Sequence, residues 1–454
     1  MASKGRSILI ILAILILVAA GATVFIWPYL EGQAPQISLQ PAPTHLGREN
    51  TLELKVTDQG LGLAWVKVTL SQPGREKIVL HKEFPTPRLE RKGQSQFSQK
   101  IKIEPLKLGL AQGEATLMVE ARDRSFSNFL HGNLARLEFG STIDTMPPRI
   151  GVLSRQIYLN RGGSALVIYQ VSPDAVEHGV TVGGHIFRGY AAWPDKPDYA
   201  ACYFAYADDL AKNAPITAWA RDQAGNQAKA SLNVRLRWKK YRHDKITLSG
   251  RVIKTLASRF MAQAPPDLKS EAEVFFWINS KLREINYQTI LEVCAQSQPK
   301  ELWQKTFLRP VGKPMSGFGD RRTYYYQDKE VAKAVHLGVD LADVANSPIP
   351  AAADGKVLFS AMLGIYGNSV IVDHGMGVHS LYSHFSTLDV KPGQEVKRGQ
   401  RLGASGATGL ALGDHLHFSV LVGGVFVNPA EWWDSHWIAD NLTLRYKEAG
   451  LKRP

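Results

Sequence analysis

Near the end of the chain the stretch GDHLHF places His415 and His417 two residues apart among apolar neighbours, and upstream HLGVD places His336 and Asp340 four apart. Between them YGNSVIVDHGMGVHSLYSHFS, residues 366–386, carries His384, with Tyr382 two positions earlier. Side chains alternate across a strand, so Leu416 and Phe418 are expected to enter a core while the two imidazoles share the opposite face. Neighbouring imidazoles resist becoming charged together and each wants a hydrogen-bond partner, a conflict that a metal or a shared water resolves. For the pair alone, surface histidines on an edge strand are the bland alternative. His336 and Asp340 share a face on either a helix or a strand, and Gly338 and Val339 argue against the helix. Three histidine or aspartate ligands with one open position suit a catalytic zinc, because the open position holds water that the metal acidifies to a pKa of about 7. His336, Asp340 and one of the pair His415 and His417 can supply those ligands.

The intervening segment reads as a hairpin turned at HGMG. Tyr382 and His384 are expected on one face of its second strand, and His379, five residues before His384, on the other. His374 reads as a turn residue and His379 as a solvated strand residue. Tyr382 is either a core tyrosine or an oxyanion donor.

The elements that must hold these residues are mostly strands. From about residue 305 glycine is frequent and turn signals recur every eight to twelve residues, an all-β pattern. Before it, EAEVFFWINSKLREINYQTILEVC has helical spacing through Val274, Ile278, Leu282 and Ile285, after a proline-marked start at 264–267. Nearer the amino terminus Leu52, Leu54 and Val56 alternate, as do Val66, Val68 and Leu70. Segments 115–128 and 214–226 echo each other, with Ala-Arg-Asp at 121–123 and again at 220–222, an offset of 99 residues. That offset is the size of one immunoglobulin-like sandwich, and 144–150 is a proline-stiffened linker between copies. The expected chain is therefore mainly β, with immunoglobulin-like β-sandwich modules at 37–143 and 149–240. After them come a helical connector at 245–300, an all-β domain at 305–434 and a carboxy-terminal tail at 435–454.

The 454 residues include 54 lysines and arginines against 41 acids, a formal charge of +13 that attracts polyanions such as nucleic acid, anionic lipid or anionic wall polymer. Residues 7–30 carry no charge over 24 positions, enough for a helix to cross a bilayer, with Lys4 and Arg6 before them and Trp27 and Tyr29 at the far end. A cytoplasmic stub and transmembrane anchor are expected at 1–30. The alternative is a cleaved signal peptide with Ala20-Gly21-Ala22 as its site, but the apolar run continues past it. Either way the chain is exported, which excludes nucleic acid. Cys202 and Cys294 match no metal motif, and in an oxidising compartment they could pair.

FGDRR (318–322), HLGVD, YGNSVIVDHG, LYSHFS, VKRGQRLGASGATG and HLHF together resemble, in order and spacing, the lysostaphin/LytM-type zinc endopeptidases of bacterial cell walls. The resemblance covers residues 305–434 and implies a duplicated hybrid motif-like fold. It implies zinc ligands His336, Asp340 and His417, catalytic histidines His384 and His415 beside the metal, and hydrolysis of peptide bonds in peptidoglycan cross-links. Asp414 stands where that family often has proline. With the anchor, the resemblance implies a single-pass inner-membrane protein with its catalytic domain on the extracytoplasmic, periplasmic side, open to regulation by envelope proteins. A non-catalytic, wall-binding regulator of other hydrolases is the first alternative. A non-haem iron oxygenase is the second, because two histidines and a carboxylate also form a facial triad. Two spare histidines and export suit hydrolysis better.

Overall fold

The computed structural model describes Leu17, residues 31–85 and residues 93–454. It divides into two compact units, Met1–Pro147 with Asp222–Asn226, and Pro148–Arg221 with Gln227–Pro454. The expected membrane-crossing segment lies, apart from Leu17, outside the described residues. Among the described residues no helix is long and apolar enough to cross a membrane.

In the first unit two sheets enclose one core, because the strands alternate apolar and polar residues as their sequences do. Leu52, Leu54 and Val56 of strand Asn50–Thr57 are buried, as are Val66, Val68 and Leu70 of strand Leu63–Gln72. The first strand lies between Gln36–Gln40 and Gln96–Ile103, and the second in a five-stranded sheet beside Gly113–Asp123. The repeated Ala-Arg-Asp has one structural job in both copies. Asp123 accepts hydrogen bonds from the backbone of Ser125 and Asn133 and from the Asn133 amide, and Asp222 accepts from the backbone and side chain of Asn226. Each aspartate ends a strand and ties down the turn beyond it.

In the second unit a three-stranded and a four-stranded sheet, spanning residues 150–231, precede the helices. Their core is continuous with that of the carboxy-terminal domain: buried Leu166, Ile168 and Tyr203 belong to the same apolar cluster as Trp303, Val370, Phe418, Trp432 and Tyr446. Residues 435–454 are largely helical and packed into that core through Ile438, Leu442, Tyr446 and Leu451. Buried Glu431 holds the turn before Ser164 by accepting from Asn160 Nδ2 at 2.7 Å and from the Ser164 backbone at 3.0 Å; burial pushes its carboxyl up to about 7.

The connector departs from its expected form in two places. It opens with a strand, His243–Thr247, which pairs in parallel with Arg321–Tyr326 and so joins a sheet of the domain beyond it. Its helical part contains a π turn at Ile278–Leu282. The wider turn keeps the buried face at Val274, Ile278, Leu282, Asn286 and Ile290, which puts Ile285 outside at 45% exposure. The capping box at Ser270 and Glu273 starts the preceding helix, Glu271–Trp277.

Most of the remaining strands form an eight-stranded sheet, while Pro348–Pro350, Arg401–Ala404 and Thr387–Leu388 form a separate three-stranded one. The middle of the larger sheet runs Val339–Ala342, Leu416–Val422, Val378–Phe385, Asn368–Asp373 and Gly355–Met362, all antiparallel. Cys202 and Cys294 are both buried free thiols, so the expected option of pairing is not realised.

Candidate metal centre

Three neighbouring strands bring the candidate residues together. Asp340 lies directly opposite His417 in the pairing of Val339–Ala342 with Leu416–Val422, so their side chains share a face. His336 precedes the first of these strands and is pinned by its own backbone, which donates to Asp320 O and accepts from Gly319 N. Gly338 is required between His336 and Asp340, because a Cβ there would lie 2.6 Å from the His417 ring. His336 Nε2, His417 Nδ1 and Asp340 Oδ1 converge, with each pair 2.9–3.0 Å apart.

The other ring nitrogens decide what these atoms offer. His336 Nδ1 donates to Gly317 O at 2.8 Å. Ser419 Oγ gives its proton to Leu337 O at 2.8 Å and so accepts from His417 Nε2 at 3.1 Å. Both imidazoles are thereby held in the tautomer whose lone pair faces Asp340. Two lone pairs and a carboxylate oxygen aimed at one point repel unless positive charge lies between them. This nitrogen and oxygen set could hold a divalent cation, and it fits zinc. Burial pushes His417 down to about 4, keeping it neutral and able to ligate. Burial works to raise the Asp340 carboxyl, but its contacts with His336 and His417 outweigh that and hold it well below the usual carboxylate range.

His384 reaches the site by a route its strand alone does not suggest. Val370 pairs with Tyr382 and Asn368 with Phe385, so Ser383 and His384 together face the single Ser369. This bulge puts His384 in the left-handed region at φ 68° and turns its ring towards His415, with centroids 4.8 Å apart. Tyr382 keeps to the opposite face, fully buried, where its hydroxyl accepts from Ala352 N and shares a hydrogen bond with Ser380 Oγ. The expectation that Tyr382 and His384 share a face is therefore corrected, and Tyr382 is a core tyrosine. The same bulge returns His384 to the face of His379. That residue is buried and not solvated, and His374 is likewise wholly buried.

His384 Nδ1 donates to Thr408 O and His415 Nδ1 to Gly413 O, both at 2.8 Å, leaving each Nε2 as a proton acceptor beside the ligand cluster. Burial lowers His384 to about 3, so it is uncharged at neutral pH. His415 is the most accessible of the four rings, with its side chain 18% exposed and Nε2 3.7 Å from Asp340 Oδ1. Sequence reading missed the residues that hold these rings. Ser419 was discoverable, since it lies two positions after His417 and must share its face. Arg259 was not: it comes from the connector and donates to the carbonyls of Ala407, Gly409 and Ala411, fixing the loop whose Thr408 carbonyl orients His384. A groove of about 420 Å³ runs past the cluster, with the connector as one wall.

The domain that carries these residues is mainly β, with the His, Asp, His cluster and two further histidines at the mouth of the groove. Residues 334–429 match the model of Peptidase family M23, and this segment is an M23 peptidase domain. The chain is similar to the DD-carboxypeptidase/endopeptidase Mpg of Neisseria meningitidis, 39% identical over 95 residues that make up 21% of this chain and 22% of Mpg. It is also similar to the peptidoglycan DD-endopeptidase ShyA of Vibrio cholerae, 39% identical over 109 residues, 24% of this chain and 25% of ShyA. The matched stretch thus spans about a quarter of the length of these relatives. Among solved structures, a putative peptidase M23 from Pseudomonas aeruginosa aligns with a TM-score of 0.39 and 23% identity over 60% of this chain and 93% of that one.

Proposed function

We propose that the protein is a membrane-anchored zinc endopeptidase that hydrolyses peptide bonds in peptidoglycan cross-links. The observation that carries this reading is the convergence of His336 Nε2, Asp340 Oδ1 and His417 Nδ1, with both imidazole tautomers set by outer partners. Similarity of the M23 segment to peptidoglycan DD-endopeptidases supports the substrate class. The uncharged run at residues 7–30, with its basic flank, supports a single-pass inner-membrane anchor and a periplasmic catalytic domain. In this reading the modules at 37–143 and 149–240 are immunoglobulin-like spacers, and the +13 charge draws the chain to an anionic wall.

His336, Asp340 and His417 would hold the ion. When bound, zinc supplies a Lewis acid that lowers the pKa of water and polarises a carbonyl. The remaining work falls to the chain's own side chains. His415, the accessible base, takes a proton at Nε2 while Gly413 O fixes its ring. His384 accepts at Nε2 and, once protonated there, becomes a donor to negative charge developing on the substrate or to the departing amine. Its neutral resting state suits that sequence.

The test is digestion of purified peptidoglycan by the zinc-loaded full chain in detergent, with products identified by mass. New amino and carboxyl termini within cross-linking peptides, lost on chelation and restored by zinc, are expected. A zinc-loaded chain that leaves every cross-link intact would exclude the reading.

A further inference from the structure

The groove beside the metal centre contains one cation that no carboxylate among the described residues neutralises. Of the arginines lining it, Arg242 pairs with Asp244 at 2.8 Å. Arg322 donates to Ser316 Oγ at 2.6 Å and lies 3.9 Å from Asp340 Oδ2. Arg283, first residue of the helix Arg283–Cys294, reaches only a neutral acceptor, Asn279 Oδ1, at 3.1 and 3.3 Å. Among the described residues no carboxylate lies within ion-pair distance of it.

The charged and titratable groups that face Arg283 are the phenols of Tyr366 and Tyr324 and the like-charged Arg322, and burial holds its guanidinium below the usual range. A half-buried guanidinium next to a second one is costly to keep without an anion. The position also matters. Tyr366, beside Arg283, has its ring centroid 5.8 Å from that of His417, so the uncompensated charge lies one side chain away from a metal ligand. Met315 and Leu412, both exposed, line the same groove, apolar surface alongside a cation. Such a surface accepts a short aliphatic peptide that carries a carboxylate, which Arg283 can grip through two parallel hydrogen bonds.

We propose that Arg283, assisted by Arg322, is a carboxylate subsite that selects peptides bearing a free carboxylate close to the scissile bond. It rests on the hydrolase reading above and deepens it. It also makes the connector, which lies outside the matched family segment, a determinant of specificity.

The experiment compares two cross-linked muropeptides, identical except that one carries a free carboxylate next to the scissile amide and the other a carboxamide. The zinc-loaded full chain should cleave the acid with a kcat/KM roughly 10- to 100-fold above that of the amide, the discrimination expected of one buried charge-assisted pair. In Arg283→Gln the acid-to-amide ratio should fall to near unity, with the loss chiefly in KM. Arg283→Lys, which keeps the charge without the planar fork, should lie between and covers the case in which the glutamine variant does not fold. An unchanged ratio in Arg283→Gln, or a wild type that does not discriminate, overturns the subsite while leaving the hydrolase reading intact. If the wild type cleaves neither peptide, the hydrolase reading fails and equilibrium binding of the same two peptides to the full chain decides the subsite. Tighter binding of the acid, lost in the variant, upholds it, and equal binding overturns it.

Discussion

Two groups of histidines lie on or beside the strands of one β-sheet and have opposite fates. Around the cluster, His336, His384, His415 and His417 each give one ring nitrogen to an oxygen outside the site and keep the other aimed inward. Farther along strand Val378–Phe385, on the face of His417, His379 is fully buried with neither nitrogen hydrogen-bonded, although Asp373 Oδ1 lies 3.5 Å from its Nε2. His374 is buried too, but both its nitrogens are used, one on Asp354 O and one on Ser380 Oγ. All six are the same residue type, and all but His415 are at most 8% exposed, so burial does not sort them. What separates the two groups is the partner of the second nitrogen. A tied Nδ1 or Nε2 with its twin left open offers a lone pair to a metal or a proton, and two tied nitrogens or none leave a ring that only packs.

The sharpest way to break this distinction is to remove a proposed ligand. His417→Ala should take the protein from one zinc per chain to almost none and abolish wall cleavage, as measured by metal analysis and fragment release. Retention of full zinc would remove His417 from the ligand set. Next in size, His415→Ala and His384→Ala should each keep their zinc while turnover falls by on the order of 10²–10⁴-fold, the usual range for a lost general acid or base. Zinc loss in either variant would make that residue a ligand. Ser419→Ala, which only frees the His417 tautomer, should weaken zinc binding by roughly 10- to 100-fold in a chelator competition. No change there would mean that the ring needs no outer partner.

The buried pair supplies the smaller effects. Burial, ahead of every other cause, lowers the affinity of His374 for a proton below that of an ordinary imidazole. The unfolded chain therefore binds the proton more tightly, so the stability His374 confers is fully present above about pH 6.5 and is lost as pH falls below it. Acid unfolding monitored by circular dichroism should be shallower in His374→Gln than in wild type through that range, and superimposable curves would refute the assignment. Smallest of all, His379→Leu should leave zinc content and cleavage unchanged and shift stability by no more than about 1 kcal/mol. It removes a ring without hydrogen bonds, and Asp373 keeps Ser297 Oγ, Gln298 N and Gly375 N as donors. A large loss of cleavage in that variant would erase the contrast between the two groups.

How much of this was legible depended on distance along the chain. The donor types at His336, Asp340, His384, His415 and His417, and the shared face of a His-x-His strand, come from residue chemistry and a period of two, both local properties. The π turn that moved Ile285 outward left no mark in the helical spacing, because one extra residue per turn is decided by packing against the sheet. The bulge at His384 was hidden for a similar reason: it exists only in the pairing of two strands, where one residue too many faces Ser369.

Amino-acid sequence alone thus determined a mainly β chain and the identity of the groups that could hold a metal, since alternation and ligand chemistry are written residue by residue. Tertiary structure alone decided which nitrogen of each histidine is free, that His384 turns into the site, that Arg259 of the connector ties down the loop behind it, and that Arg283 lines the groove. Those outcomes rest on hydrogen bonds such as that from Arg259 to Ala411, between residues 152 positions apart, and no local pattern encodes a partner that only folding brings near.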